Sequence, residues 1–220
     1  MYKHKSPTPI INDLGTLQIL TPAQEGPIYA SLAKASYAFE FDKQAPIPVG
    51  YHVDRDLSDV NRTVFTQNGK AIVAFRGTDV LNWKDLAADV MLAIGFEGFS
   101  TRFRDSVDTT NLAIEKYGKN NVTVTGHSLG GTQALFVNGK TGAKAVAFNP
   151  GASIPQAMYG VVSNTVESVF DAKLGDNSYI WTSGIDPISS LSHFENANHF
   201  QVGSKTGLLN HHNLDNFLAD

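Results

Sequence analysis

Gly126-His127-Ser128-Leu129-Gly130-Gly131 is the stretch of this 220-residue chain best suited to covalent chemistry. It stands between a predicted strand, Val122-Thr123-Val124-Thr125, and a helix predicted from Leu129 to about Asn138. A serine on so sharp a strand-to-helix turn is strained and holds its hydroxyl out. The residues two before and two after it must then be small, and Gly126 and Gly130 meet that demand. The chemistry such a serine performs is nucleophilic attack on an acyl carbon. The Leu129 N–H, at the helix start where the dipole favours negative charge, suits the resulting oxyanion. His127 reads as a packing or polar-contact residue, because neighbours on a tight turn point different ways.

Acyl transfer also needs a second oxyanion donor, a base and an orienting acid. Phe75-Arg76-Gly77-Thr78, at the end of a predicted strand, is a suitable donor loop. Gly77 allows close backbone approach, and Thr78 offers both its N–H and its hydroxyl. Arg76 reads as structural, paired with a carboxylate. Acid candidates after Ser128 are Asp171, Asp176 and Asp186. Asp186 is favoured, since it follows the predicted strand Tyr179–Thr182 and falls at a strand's carboxyl end, where such sheets carry functional groups. Base candidates are His193, His199, His211 and His212, and none has the spacing of a metal pair. His211-His212 precedes a short amphipathic turn in which Leu214 and Phe217, three apart, can anchor together.

These stretches, in this order, resemble the class 3 lipases, the group containing the filamentous-fungal triacylglycerol lipases. Ala74-Phe75-Arg76-Gly77-Thr78 resembles the family's oxyanion loop, and Asn82-Trp83 with Asp85 and Asp89 its tryptophan-containing segment. Phe96-Glu97-Gly98-Phe99 resembles a His-x-Gly-Phe stretch, with Phe96 where histidine is usual. His212-Asn213-Leu214-x-x-Phe217 is similar to the terminal His-x-Leu-x-x-aromatic pattern, which implies His212 as the base. The resemblance covers roughly residues 70 to 218. It implies an α/β-hydrolase fold and a cofactor-free serine hydrolase of lipid esters, triacylglycerol lipase-like. Its triad would be Ser128, Asp186 and His212, with oxyanion donors Thr78 and Leu129. The same triad would serve a phospholipase A1, a small-ester esterase or an acyltransferase, and an inactive lipid-binding homologue would keep the fold. The apolar segment Met91–Phe96 fits a lid or the buried end of a core helix equally well.

Composition bounds the classes. The chain contains no cysteine, which excludes a disulfide scaffold, a thiolate metal site and a cysteine nucleophile. Its 17 Lys and Arg against 21 Asp and Glu leave a net charge of −4, with no basic face for nucleic acid. A hydrophobic fraction of 42% supports a core, and a charged fraction of 17% is low against the roughly 25% of ordinary domains. The resemblance implies a lipid or ester substrate and, transiently, a lipid surface as partners. No transmembrane segment and no secretory signal are expected, so the chain reads as a mature form, as cytoplasmic, or as exported by a route without such a signal.

The elements that must position these residues are predicted as follows. Residues 1–20 form an irregular arm, and the whole of 1–220 is one domain. Thr21-Pro22-Ala23-Gln24 reads as a capping box broken by Gly26-Pro27, with a helix from Pro27 to about Tyr37. Thr63–Thr66 and Ala71–Phe75 flank Asn68-Gly69, a type I′ hairpin signature. Helix and strand then alternate. One helix is expected from Asn82 to about Ala93 and another through Phe103, Val107 and Ile114. Strands follow at Val122–Thr125, Ala145–Phe148, Tyr179–Thr182 and Phe200–Val202, with a helical face from Ile154 to Val169. The predicted class is α/β, a mostly parallel central sheet with helices on both faces, begun by an antiparallel hairpin.

Overall fold

The computed structural model describes residues 8–11, 17–38, 47–77, 86–151, 174–184, 197–205 and 213–219, with backbone alone at 8–11, 17–19, 38 and 86–100. Thr8–Ile11 (β1) and Leu17–Leu20 (β2) pair antiparallel as a separate ribbon, so the arm expected to be irregular is in part ordered by strand pairing. Helix α1, Pro22–Ala38, starts at the capping box: the Thr21 N–H donates to Gln24 Oε1 at 3.0 Å. The helix then runs through Gly26 and Pro27 without the expected break. A proline so near the helix start removes one hydrogen bond. Gly26 meanwhile lets Trp181 close on the helix, since a Cβ there would lie 2.4 Å from the indole ring.

His52–Val53 (β3), Arg62–Gln67 (β4) and Lys70–Phe75 (β5) pair antiparallel. Asn68 and Gly69 both take positive φ, 49° and 74°, as the predicted turn requires. One unbroken helix, Leu86–Tyr117 (α2), replaces the two expected between β5 and the next strand. Val122–His127 (β6), helix Leu129–Thr141 (α3), Lys144–Phe148 (β7), Ser178–Ser183 (β8) and Asn198–Val202 (β9) follow. A 3₁₀ turn, Leu214–Phe217, comes near the end. The expected helical face from Ile154 to Val169 lies outside the described residues.

Among the described residues, β3 to β9 form one sheet in sequence order, and β5 to β9 run parallel. Consecutive strand residues point to opposite faces. Val64, Val73, Val124 and Ala145 therefore pack with Ala113 of α2 and with Ala134 and Leu135 of α3. Phe65, Ile72, Val146 and Phe148 pack on the other face with Ala30 and Leu32 of α1 and with Leu214 and Phe217. The sheet is thus buried on both sides, as parallel strands require. The fold is α/β-hydrolase-like, a mixed sheet opened by an antiparallel hairpin.

Candidate active site

The carboxyl ends of β5, β6, β7 and β8 lie side by side. Along the chain Thr78, Ser128, Asp186 and His212 follow β5, β6, β8 and β9, whereas the candidate Asp176 stands in the turn before β8 and the candidate His199 within β9. Ser128, at the end of β6, has φ 56° and ψ −124°, a backbone conformation that side chains other than glycine rarely take. Such strain persists only where the surroundings fix it. Here the Ser128 N–H donates to the Phe148 carbonyl at 3.1 Å, and the N–H groups of Thr132 and Gly151 donate to the Ser128 carbonyl at 3.1 Å each.

Ser128 also occupies the N-cap of α3, where a serine ordinarily turns its hydroxyl onto the helix. Its hydroxyl makes no such capping bond. The Leu129 N–H stands in the first turn, whose amides have no carbonyl partner within the helix and present a partial positive charge. The Leu129 side chain is buried and serves packing.

Gly77 brings the donor loop against this turn. A Cβ on Gly130 would lie 2.2 Å from the Phe75 carbonyl oxygen and 3.1 Å from the Gly77 nitrogen. A Cβ on Gly77 would lie 2.1 Å from the Tyr37 hydroxyl and 2.7 Å from the His127 carbonyl. The base of the loop is clamped from both sides: the Arg76 N–H donates to the Asn61 carbonyl at 2.9 Å, and the Arg102 guanidinium donates to the Arg76 carbonyl. Burial pushes the Arg102 pKa down to about 10, with Arg62 and Arg76 adding to the effect and Tyr37 opposing it. The group stays cationic at neutral pH. His127 is buried against Tyr37, whose hydroxyl lies 3.2 Å from Nδ1, in keeping with a polar-contact role.

Of the remaining predicted site residues, Thr78, Asp186 and His212 lie outside the described residues, as do His193, His211, Asp171 and Trp83. Their flanks are described. Gly77 precedes Thr78, Ser183 and Gly184 precede Asp186, and the Leu214–Phe217 turn follows His212. Leu214 and Phe217 are both buried, and the Phe217 ring sits 5.1 Å from that of Phe148. Tyr37, Arg102, Asn149, Ser183 and Asn216 were not singled out by sequence reasoning. Asn149-Pro150 directly after an apolar strand was a usable signal; the others meet the site only through long-range packing. Among the described residues no group of His, Asp or Glu is placed to hold a metal ion.

A mixed sheet whose central parallel strand ends in a strained serine turn defines the α/β-hydrolase class. The structure is similar to that of a triacylglycerol lipase whose catalytic centre is a serine-protease triad, at 14% identity over 84% of this chain and 82% of that one, with a TM-score of 0.51. It is also similar to lipase II from Rhizopus niveus, at 16% identity over 84% and 81%, with a TM-score of 0.48. At 14% identity the first of these likenesses is one of fold. A sequence comparison with curated proteins gave no match. The model of the phospholipase-like family, the Tle-like phospholipase domain, matches residues 31–169, and the chain belongs to that family. The resemblance read from the motifs therefore holds at the level of the α/β-hydrolase fold.

Proposed function

We propose that this protein is a serine carboxylic-ester hydrolase acting on lipid esters, with phospholipid acyl esters as the first substrate class. The observation that carries the reading is Ser128 itself: strained, fixed by three backbone hydrogen bonds and withheld from capping the helix it begins. The family description supports phospholipid as the substrate. Triacylglycerol is the second reading, supported by the motif resemblance.

In this mechanism Ser128 Oγ attacks the ester carbonyl carbon, and His212 takes the hydroxyl proton as the new C–O bond forms. Asp186 holds the imidazole and stabilises its charged form. The N–H groups of Thr78 and Leu129 receive the carbonyl oxygen as it becomes negative. Collapse of the tetrahedral species returns the proton from His212 to the departing alcohol and leaves an acyl-serine. Water then repeats the cycle and releases the fatty acid. Asp186 stands three positions past the end of β8, a span of at most about 10 Å.

The test is hydrolysis of phospholipid, triacylglycerol and a chain-length series of nitrophenyl esters by the wild type, His212→Ala and His211→Ala. The reading expects phospholipid to be cleaved at its acyl ester. It expects His212→Ala to lose on the order of 10⁴-fold in turnover, with His211→Ala within about tenfold of wild type. Inactivity of the wild type on every ester contradicts it.

A further inference from the structure

Three buried polar side chains connect the loop that holds the serine turn with the strand before Asp186 and the segment after His212. Asn149, directly after β7, takes a positive φ of 39° and is fully buried. Its Oδ1 accepts the Ser183 N–H at 3.0 Å, and its Nδ2 donates to Ser183 Oγ at 3.4 Å. Ser183 Oγ also accepts from Asn216 Nδ2 at 3.0 Å. Asn216 Oδ1 in turn accepts the Lys205 N–H at 2.7 Å. Ser183 and Asn216 are buried too.

The positions of these residues along the chain are informative. Asn149 lies between Phe148 and Gly151, whose backbone groups hold Ser128. Ser183 is the last residue of β8, three positions before Asp186, and Asn216 stands four positions after His212. The bond from Lys205 to Asn216 closes the two ends of the segment that contains His212. A second bond, from Lys205 Nζ to the Leu218 carbonyl at 2.9 Å, reinforces that closure. The loop that holds the serine turn, the acid's strand and the base's segment thus meet at one hydroxyl.

Burying three polar side chains costs free energy that apolar residues would avoid, and Asn149 and Asn216 directly follow and precede the buried Phe148 and Phe217 along the chain. A fully connected polar network returns something apolar packing does not, namely one fixed geometry. We infer that Asn216, with Ser183 and Asn149, is a positioning residue that sets Asp186 and His212 in register with Ser128. The inference rests on the hydrolase reading above.

Loosening the network moves the base without touching substrate. A displacement of about 1 Å in a catalytic group costs up to ~10²-fold in rate. Asn216→Ala is therefore expected to lower kcat by about 10- to 100-fold on a soluble nitrophenyl ester, with KM within about twofold. The acid limb of kcat/KM should also move to lower pH, because an imidazole less firmly paired with a carboxylate protonates less readily. Ser183→Ala, which removes one oxygen and leaves the strand intact, should give the same pattern and serves if Asn216→Ala does not fold. A fluorophosphonate separates the two levels. A wild type that is not labelled overturns the hydrolase reading and this inference with it. A labelled wild type, with either folded variant labelled at the wild-type rate and an unshifted pH profile, overturns the positioning role alone, even if melting temperature falls.

Discussion

A Cβ on Gly126 would lie 2.4 Å from both the carbonyl carbon and the carbonyl oxygen of Gly130. The end of β6 and the first turn of α3 are thus in backbone-to-backbone contact, which is what a reversal at the single residue Ser128 demands. Side-chain rotation cannot relieve such a clash. Gly126→Ala and Gly130→Ala should each cost about 3 kcal/mol, at the upper end for overpacking. Gly131→Ala meets its nearest backbone atoms at 3.2 to 3.3 Å and gains helix propensity, so it should stay within about 1 kcal/mol of wild type. Urea denaturation of the three variants checks the order. Equal stabilities across the three would contradict the contact.

The strain at Ser128 should be measurable as stability. Alanine keeps the unfavourable φ of 56°, whereas glycine adopts it freely. Strained backbone positions cost about 1–3 kcal/mol, and glycine loses part of that gain to its larger unfolded-state entropy. Ser128→Gly should therefore be about 1 kcal/mol more stable than Ser128→Ala, with both inactive. A more stable alanine variant would mean that the turn is not strained.

Gly77 links the donor loop to Tyr37 and the serine turn. Gly77→Ala should displace the loop and lower kcat by up to ~10²-fold, because oxyanion donors work only at the right distance. Tyr37→Phe removes the nearest clashing atom but leaves the His127 carbonyl at 2.7 Å. The double variant should recover part of the activity and not all of it. Kinetics of the single and double variants on one soluble ester decide this.

Away from the site, Lys144 Nζ pairs with Glu25 Oε2 at 2.5 Å and lies over the rings of Tyr29 and Tyr179. Burial alone would depress the Lys144 ammonium, but Tyr29 and Glu25 outweigh it and hold its pKa above the ordinary lysine value. Burial likewise raises the Tyr29 hydroxyl. Both groups bind their protons more tightly folded than unfolded. Their stabilisation is full below about pH 10 and is lost as pH rises beyond it. Lys144→Met leaves the buried Glu25 carboxylate unpaired and should cost about 3 kcal/mol at neutral pH. Glu25→Gln with Lys144→Met should restore much of that and flatten the alkaline limb. Thermal melts from pH 7 to pH 11 measure both effects.

The parts of this fold legible in the sequence are those set by local chemistry. Asn68-Gly69 specifies its turn through positive φ, and Gly126-x-Ser128-x-Gly130 specifies the serine turn through excluded volume. Leu214 and Phe217 announce a buried turn by their spacing. Gly26-Pro27 misleads because the packing of Trp181 on Gly26, distant in sequence, decides whether that helix continues. The two helices expected between β5 and β6 are one, and Gly95 and Gly98 lie inside it. Each glycine costs a helix only about 1 kcal/mol, which a helix nucleated over Leu86–Tyr117 absorbs. The network of Asn149, Ser183 and Asn216 has no local signature, since each residue alone is an ordinary polar group and only the sheet order brings them together. Thr78, Asp186 and His212 rest on motif and chain order, with their described flanks at the carboxyl edge of the sheet.

The central claim is that Ser128 is an activated nucleophile. Its most direct test is peptide mapping by mass spectrometry after treatment of the folded protein with a fluorophosphonate. The account predicts one adduct, on the peptide containing Ser128, and none in folded Ser128→Ala. An unmodified wild type, or an adduct that persists in Ser128→Ala, would contradict it.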